Sequence, residues 1–319
     1  MRIVPEAEIA ALVTPEDAMA AVRDAFAAMA RGEAGNFPVV REALGGGRQY
    51  GFKSGIDRAG GVLGVKSGGY FPGNDAKGIT NHQSAVLLFD PDTGRPVAMV
   101  GGNLLTALRT AAAAALSVDL LARPDARVLG IVGAGHQSVF QLRAVARVRR
   151  FDKVIAWNRD PARLDRLARV AGELGLAFES VPLARMVEAQ VIVTITSSPA
   201  ASLMDAHVAA GTHLACMGTD TRGKQEVDPR LLARARVYTD EVAQSVTIGE
   251  AQHAIAQGLI AESAITPLGH VVTGQDAGRR SGDEVTLFDG TGIALQDLAV
   301  AALALKRAEA QGKGQVVAF

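Results

Sequence analysis

The stretch Val128-Leu129-Gly130-Ile131-Val132-Gly133-Ala134-Gly135-His136-Gln137-Ser138 decides the fold of this chain. Its first five residues form an apolar run typical of a buried strand, and Gly133 and Gly135 then permit a tight turn. A helix that starts at this turn points its amides and the positive end of its dipole at a pyrophosphate. The third fingerprint position is Ser138 instead of Gly or Ala, and a purely structural glycine turn is the alternative. The flanking strand and helix favour a dinucleotide site.

Strand and helix patterns alternate from this motif towards the carboxyl end. Further strands are predicted at Val154–Trp157, Val191–Ile195, His213–Met217, Arg236–Thr239 and Val285–Phe288. Helices are predicted at Gln137–Arg149 and Pro161–Leu174. Such alternation implies a parallel sheet covered by helices on both faces. The chain is therefore predicted to be an α/β protein with a Rossmann dinucleotide-binding domain over residues 119–289.

The region before the motif has a different pattern. A helix over Thr14–Arg31 is followed, between Phe37 and Val100, by short β-prone runs that glycine-rich turns separate. Helical patterns follow at Leu104–Leu121 and again at Ala294–Ala310. These segments predict a discontinuous α+β substrate and dimerisation domain, made of residues 1–118 and completed by residues 290–319.

Composition excludes several classes of protein. The 33 basic and 33 acidic residues of the 319-residue chain cancel, whereas a nucleic-acid-binding protein shows a basic excess. Cys216 is the single cysteine, so no intrachain disulfide forms and a cytoplasmic location is expected. The apolar segment Thr110–Ala122 contains Asp119 and is predicted to be a packed helix, not a membrane span. The six histidines have no zinc-binding spacing, so no metal site is expected.

The second strand of the predicted sheet ends in Trp157-Asn158-Arg159-Asp160. An acid at this place usually binds the ribose hydroxyls of NAD. Asn158 can bind a hydroxyl without repelling a 2′-phosphate, and Arg159 could pair with one. Asp160 could neutralise Arg159 or bind the ribose itself. These residues leave NAD(H) and NADP(H) both open.

Three charged residues stand out for their surroundings. Lys66, at the predicted end of a strand, and Arg109, in a helix, lie among small and apolar residues. A buried cation needs an anionic partner, either a ligand or a structural acid. Asp220 follows the strand His213–Met217, at the edge of an open α/β sheet where ligands bind. It is either a proton-transfer group beside a nicotinamide or a turn aspartate.

Five separated pieces of the chain resemble the ornithine cyclodeaminase/mu-crystallin family. They are the Lys66 strand, Ala107-Leu108-Arg109-Thr110-Ala111-Ala112, Gly133-Ala134-Gly135-His136-Gln137, Gly218-Thr219-Asp220 with Gly223-Lys224-Gln225-Glu226, and Phe288 to Asp297. They follow the family's order along nearly the whole chain. The resemblance therefore implies an NAD(P)-dependent enzyme that acts at the α-carbon of an amino or imino acid and forms a homodimer through its first domain.

The resemblance also assigns roles. It implies that Lys66 and Arg109, with Arg41, bind the α-carboxylate of the substrate. Asp220 is implied as the proton-transfer group, and Asp220 and Lys66 are the predicted catalytic residues. Thr291 is the further predicted substrate contact. The predicted dinucleotide contacts are Asn81, Arg109, Thr110, Gly133, Gly135, His136, Gln137, Asn158, Arg159, Thr196 and Lys224.

One departure from the family pattern bears on the substrate. Where cyclodeaminases resemble one another in a Met-Pro pair preceded by an acid, this chain has Tyr50-Gly51-Phe52-Lys53-Ser54-Gly55. Lys53 would repel the distal ammonium of ornithine and attract a second carboxylate, unless it points to solvent. Together with Lys66-Ser67-Gly68-Gly69-Tyr70, this segment resembles the iminosuccinate reductase branch, which implies reduction of iminosuccinate to aspartate with NADH. A cyclodeaminase, a cyclic or monocarboxylic ketimine reductase and a dinucleotide-gated binding protein are the alternatives.

Overall fold

A computed structural model describes residues 1–319. The chain divides into two compact units, of which unit 1 comprises Met1–Arg109 and Ile293–Phe319 and unit 2 comprises Thr110–Gly292. The sequence predicted the first boundary at residue 118 and the second at residue 290. Helix α3 (Asn103–Leu121) runs without a break through both Arg109 and residue 118, so no turn or composition shift marks the first boundary.

Unit 1 contains a mixed sheet. Its strands are β1 (Arg2–Val4), β2 (Ala34–Asn36), β3 (Val40–Gly45), β4 (Arg48–Asp57), β5 (Val62–Tyr70), β6 (His82–Phe89), β7 (Pro96–Gly101) and β16 (Gln315–Val316). The strand order is β16-β1-β7-β6-β5-β4-β2, and β3 pairs with β4. β6 and β7 form the antiparallel hairpin that the turn Asp90–Gly94 predicts. The three central pairings, β4 with β5, β5 with β6 and β6 with β7, are all antiparallel.

Helices α1 (Glu6–Leu12), α2 (Pro15–Ala30) and α10 (Ala294–Ala310) accompany this sheet. Thr14 and Asp17 form a capping box at the start of α2, as the sequence Thr14-Pro15 predicts. α10 packs on β4, β5 and β6. Gly64 permits its close approach, because a Cβ there would lie 2.7 Å from a methyl carbon of Leu298. The first turn of α10 is thereby pressed onto the middle of the sheet.

Unit 2 contains a wholly parallel sheet. Its strands are β8 (Val128–Val132), β9 (Lys153–Trp157), β10 (Ala177–Ser180), β11 (Val191–Thr194), β12 (His213–Cys216), β13 (Ala235–Thr239), β14 (Ile265–Pro267) and β15 (Val285–Asp289). Their order is β10-β9-β8-β11-β12-β15-β13-β14, whose first five strands repeat the 3-2-1-4-5 order of dinucleotide-binding domains. The predicted α/β class and Rossmann sheet are confirmed.

The helices of unit 2 are α4 (His136–Val148), α5 (Asp165–Glu173), α6 (Pro229–Arg234), α7 (Val242–Ile248), α8 (Ala251–Ala256) and α9 (Leu268–Val272). The predicted helix over Pro161–Leu174 begins as a 3-10 turn over Pro161–Leu164 and becomes α5 only at Asp165. The side chain of Asp160 accepts the amide of Ala162 and caps this turn.

Helix α3 is long and apolar enough to cross a membrane by length and composition alone. However, 83% of its apolar window is buried inside the protein. It is therefore a core helix, as the Ala-rich sequence around Asp119 predicts.

Candidate active site

A group of cations lies on the inner face of the sheet in unit 1. Lys53 in β4 stands directly opposite Lys66 in β5, so the two side chains share one face. Both are 7% exposed, so the solvent-facing alternative for Lys53 is excluded. The prediction that Lys66 ends its strand was wrong, because β5 continues to Tyr70. Lys53 likewise lies inside its strand, since β4 continues to Asp57. Glycines after Lys66 resemble a turn, but they continue the antiparallel ladder with β6.

Asp297, in the first turn of α10, is the acid that Lys66 and Arg109 contact. Its Oδ1 accepts Lys66 Nζ at 3.1 Å and Arg109 Nε at 3.0 Å. Arg109 also donates to Oε1 of Gln296 at 3.2 Å. Asp297 is fully buried, and its Oδ2 has no hydrogen-bond partner. The structure thus supplies one of the anions that these buried cations require.

The charges in this group shift one another's pKa values. Burial lowers the pKa of Lys66 to about 8, against the opposing effect of Asp297, and Arg109 and Arg41 lower it further. Burial alone would raise the pKa of Asp297, but Arg109, Lys66 and Lys53 hold it below its ordinary value. Asp297 therefore stays ionised among these cations. Buried cations gathered on one face of the sheet are a favourable setting for an anionic ligand.

The glycine loop of unit 2 has the geometry that a dinucleotide requires. Gly133 has a φ of 110°, and a Cβ there would lie 2.6 Å from the carbonyl oxygen of Ile195. Gly135 caps α4, and a Cβ on Gly135 would meet nothing within 4 Å. This open space before a helix of 13 residues fits a pyrophosphate that accepts hydrogen bonds from the helix amides.

Asn158 connects the second strand to this loop. Its Oδ1 accepts the amide of Ala134 at 3.0 Å, and its Nδ2 donates to the carbonyl of Asp160 at 2.8 Å. The side chain thus fixes the glycine loop in addition to any contact with a ribose. Arg159 is exposed beside it. The sequence could not show this structural role, which explains an amide in place of the usual acid.

Two further predicted dinucleotide contacts begin α4. Partial burial and the charge of Arg166 lower the pKa of His136, which keeps the ring neutral. Oε1 of Gln137 is buried and lacks a hydrogen-bond partner. A ligand hydroxyl or amide would satisfy this acceptor.

Asp220 lies beyond the end of β12, as predicted. Its Oδ1 accepts Lys224 Nζ at 2.9 Å and the hydroxyl of Thr221 at 3.2 Å. The Asp220 side chain is 32% exposed and can therefore be reached by a ligand. Lys224, predicted as a dinucleotide contact, forms an ion pair with Asp220. The amide of Thr196 donates to Glu226 at 2.5 Å.

The remaining predicted residues have contacts within their own units. In unit 1, Oδ1 of Asn81 accepts the amide of Asp75 in the segment between β5 and β6. In unit 2, the hydroxyl of Thr291 donates to Asp240 at 2.7 Å, and its amide donates to the same oxygen at 3.1 Å. Thr110 is buried in α3. Their proposed ligand contacts stay predictions.

Sequence reasoning missed several buried acids, among them Asp297, Glu226 and Glu250. The first two lie inside pieces that carry the family resemblance, at the ends of Phe288–Asp297 and Gly223–Glu226. Their place inside these family-like pieces is the sequence signal that could have identified them. Glu250 belongs to none of those pieces, and only the fold brings it to Glu226.

A model of the ornithine cyclodeaminase/mu-crystallin family matches residues 2–312. The chain belongs to this family. The resemblance drawn from five separated pieces is thereby confirmed.

Individual members of the ornithine cyclodeaminase/mu-crystallin family are similar to this chain over its full length. The chain is 60% identical to the iminosuccinate reductase of Paracoccus denitrificans (strain Pd 1222) over 320 residues, which cover 99% of both proteins. The crystal structure of that organism's iminosuccinate reductase in complex with NAD+ matches with a TM-score of 0.94, covering 100% of this chain and 99% of that one. An archaeal alanine dehydrogenase dimer with bound NAD is 31% identical, with a TM-score of 0.93 and coverage of 100% and 99%.

Proposed function

We propose that this protein is an NAD(H)-dependent imine reductase that converts iminosuccinate to aspartate. Its 60% identity to an iminosuccinate reductase, and the NAD+ bound in the crystal structure of that relative, support the reaction and the cofactor. The single cysteine, Cys216, is a buried free thiol and is compatible with a reducing cytoplasm.

The observation that carries the proposal is the set of buried cations around Asp297. Lys53, Lys66 and Arg109 are each 7% exposed, and Asp297 forms ion pairs with Lys66 and Arg109. A substrate with two carboxylates would be attracted to these cations, whereas the distal ammonium of ornithine would be repelled by them. Lys66 and Arg109 bind the α-carboxylate in this proposal, and Lys53 binds the distal one.

The residues of the chain then carry out binding and proton transfer. The bound dinucleotide supplies a hydride to the imine carbon. Asp220, or a water that it holds, passes a proton to the imine nitrogen, so that C=NH becomes the CH–NH2 of the amino acid. The Gly133–Gly135 turn and the amides of α4 bind the pyrophosphate.

The test is a steady-state assay of NADH and NADPH oxidation with iminosuccinate, with the imines of pyruvate and glyoxylate, and with cyclic imines. We expect the highest kcat/KM with NADH and iminosuccinate. A preference of tenfold or more for NADPH, about 1.4 kcal/mol, would contradict the cofactor. A higher kcat/KM for a monocarboxylic or cyclic imine would contradict the substrate.

The pKa of Lys66 predicts a pH dependence of dicarboxylate binding. Lys66 is protonated below pH 8 and loses its charge as the pH rises through about 8. Affinity for a non-reducible dicarboxylate such as succinate should therefore be constant below this pH and fall above it, by up to about tenfold per pH unit. The inhibition constant of succinate, measured on both sides of this pH, checks the prediction. Lys66→Arg is the control, because a guanidinium keeps its charge and should remove the dependence.

We propose further that the protein is a homodimer through the outer face of the sheet in unit 1. Val65, Leu87 and Met99 lie side by side on adjacent strands there, and Met99 is 43% exposed. The archaeal relative solved as a dimer supports a second copy as the occupant of this apolar face. Sedimentation should give a dimer that Leu87→Glu converts to a monomer, and a monomeric parent protein would refute the proposal.

A further inference from the structure

Glu226 holds two loops of unit 2 together. Its Oε1 accepts the amide of Thr196, which follows β11, at 2.5 Å. Its Oε2 accepts the amide of Gly218, which follows β12, at 2.7 Å, and the hydroxyl of Thr194 at 2.8 Å. Three donors therefore converge on one side chain that is 1% exposed.

The loop that carries Asp220 begins and ends at this carboxylate. Gly218 lies against it so closely that a Cβ would stand 2.6 Å from the carboxyl carbon of Glu226. At the other end, Glu226 itself comes two residues after Lys224, the ion-pair partner of Asp220. The position of Asp220 is therefore set by a short loop with both ends fixed at Glu226.

Glu250 is the acid next to Glu226. Its Oε1 accepts the amide of Glu226 at 2.7 Å and the hydroxyl of Thr219, and its Oε2 accepts the amide of Val227 at 3.3 Å. Burial, then the charges of Glu226 and Asp289, hold the pKa of Glu250 well above its usual range. Burial also raises the pKa of Glu226, but the donors from Thr194, Thr196 and Gly218 oppose this rise.

The other ionisable groups around Glu226 and Glu250 are acids, which are either neutral or negatively charged. Asp289 accepts the amide of Glu250 at 3.0 Å, and its own pKa is raised to about 7, first by burial and also by Asp240. The Cys216 thiol stays neutral, because burial and the nearby acids raise its pKa. No cation takes part in the hydrogen bonds that fix the pair, and the charge of Glu226 raises the pKa of Glu250, so ionisation of both buried carboxyls is unfavourable.

We propose that Glu226 is the positioning residue for the Asp220 loop and that Glu250 is its protonated partner. The three hydrogen bonds to Glu226 are 2.5, 2.7 and 2.8 Å long, whereas Oε2 of Glu250 accepts a single one at 3.3 Å. The negative charge therefore resides on Glu226 and the proton on Oε2 of Glu250. This inference rests on the proposed proton-transfer role of Asp220.

Glu226→Gln tests the first part. Whichever way its amide is turned, the nitrogen faces an amide hydrogen of Thr196 or Gly218, so one loop must move away. We expect kcat to fall by about tenfold, because small displacements of a proton donor are costly. The KM for iminosuccinate should change less than about twofold, since the cations of unit 1 are untouched.

Glu250→Gln is the matched comparison. A glutamine reproduces a neutral acid and keeps a carbonyl acceptor for Glu226 and Thr219, so we expect kcat within about twofold of the parent. A loss equal to that of Glu226→Gln would overturn the protonated-partner assignment. Thr194→Val removes one donor with little change of shape, and we expect a loss of about threefold. It keeps the proposal testable if Glu226→Gln fails to fold.

Hydrogen exchange distinguishes this proposal from the proposed function. The peptides that contain Thr196 and Gly218 should exchange faster in Glu226→Gln but not in Glu250→Gln. Faster exchange with an unchanged kcat would leave Glu226 as a loop anchor and count against Asp220 as the proton donor. Parent-like exchange and kcat in Glu226→Gln would overturn the positioning role itself.

Discussion

Asp220→Asn should lower kcat by about 10²–10⁴-fold and leave the dinucleotide Kd nearly unchanged. An asparagine can accept the hydrogen bond that Lys224 Nζ donates to the aspartate at 2.9 Å, but it cannot deliver a proton. The glycine loop and helix α4, which are proposed to bind the dinucleotide, do not include residue 220. Loss of turnover with retained cofactor binding would thus assign proton transfer to this carboxyl.

The measurement compares single-turnover NADH oxidation with a fluorescence titration of NADH. Asp165→Asn is the control, because it removes an exposed acid from the same unit and should leave both quantities at the parent value. Single-turnover rates within a few-fold of the parent in Asp220→Asn would exclude this residue from proton transfer.

Local patterns were sufficient for much of the fold. β8, the glycine turn and α4 follow from a contiguous apolar run, two glycines and a helical period, and the structure places each within a residue or so of its predicted bounds. The short strands β1, β2, β3, β10, β14 and β16 were not predicted. β3 is mostly exposed and contains no alternating apolar pattern, so its pairing with β4 depends on tertiary contacts that a local pattern does not contain.

Residues of the candidate site could be proposed one by one from the sequence, but their hydrogen-bond network could not. Lys66 and Arg109 could be identified as buried cations from their apolar neighbours. Their partner Asp297 lies 231 residues after Lys66, and no spacing rule connects positions so far apart. Asn158 is similar, because its bond to Ala134 depends on the packing of β9 against β8. The sequence therefore proposes which residues belong to the candidate site, and the fold determines what each contacts.

Lys53→Met should lower kcat/KM for iminosuccinate by roughly 10–150-fold and affect a monocarboxylic imine far less. The estimate follows from a charge-assisted hydrogen bond to a carboxylate, worth about 1.5–3 kcal/mol. Lys53 lies opposite Lys66, and the charges of both lysines lower the pKa of Asp297. Lys66 and Arg109 remain in the variant, so binding of the α-carboxylate should persist.

Steady-state kinetics with iminosuccinate and the imine of pyruvate test this selectivity. Lys306→Met is the control, because it removes one exposed lysine from unit 1 and should change neither substrate's kcat/KM. Equal losses for the two imines, or none, would contradict the dicarboxylate assignment.

Thermal stability separates a binding role for Lys53 from a structural one. Two lysines paired across a ladder repel each other, so replacing one with an uncharged side chain of similar length should leave Tm unchanged or raise it. If Lys53 instead served mainly to neutralise Asp297, its removal would lower Tm and weaken both substrates alike. A selective loss for iminosuccinate at undiminished Tm is therefore the combination expected of a residue that binds a second carboxylate.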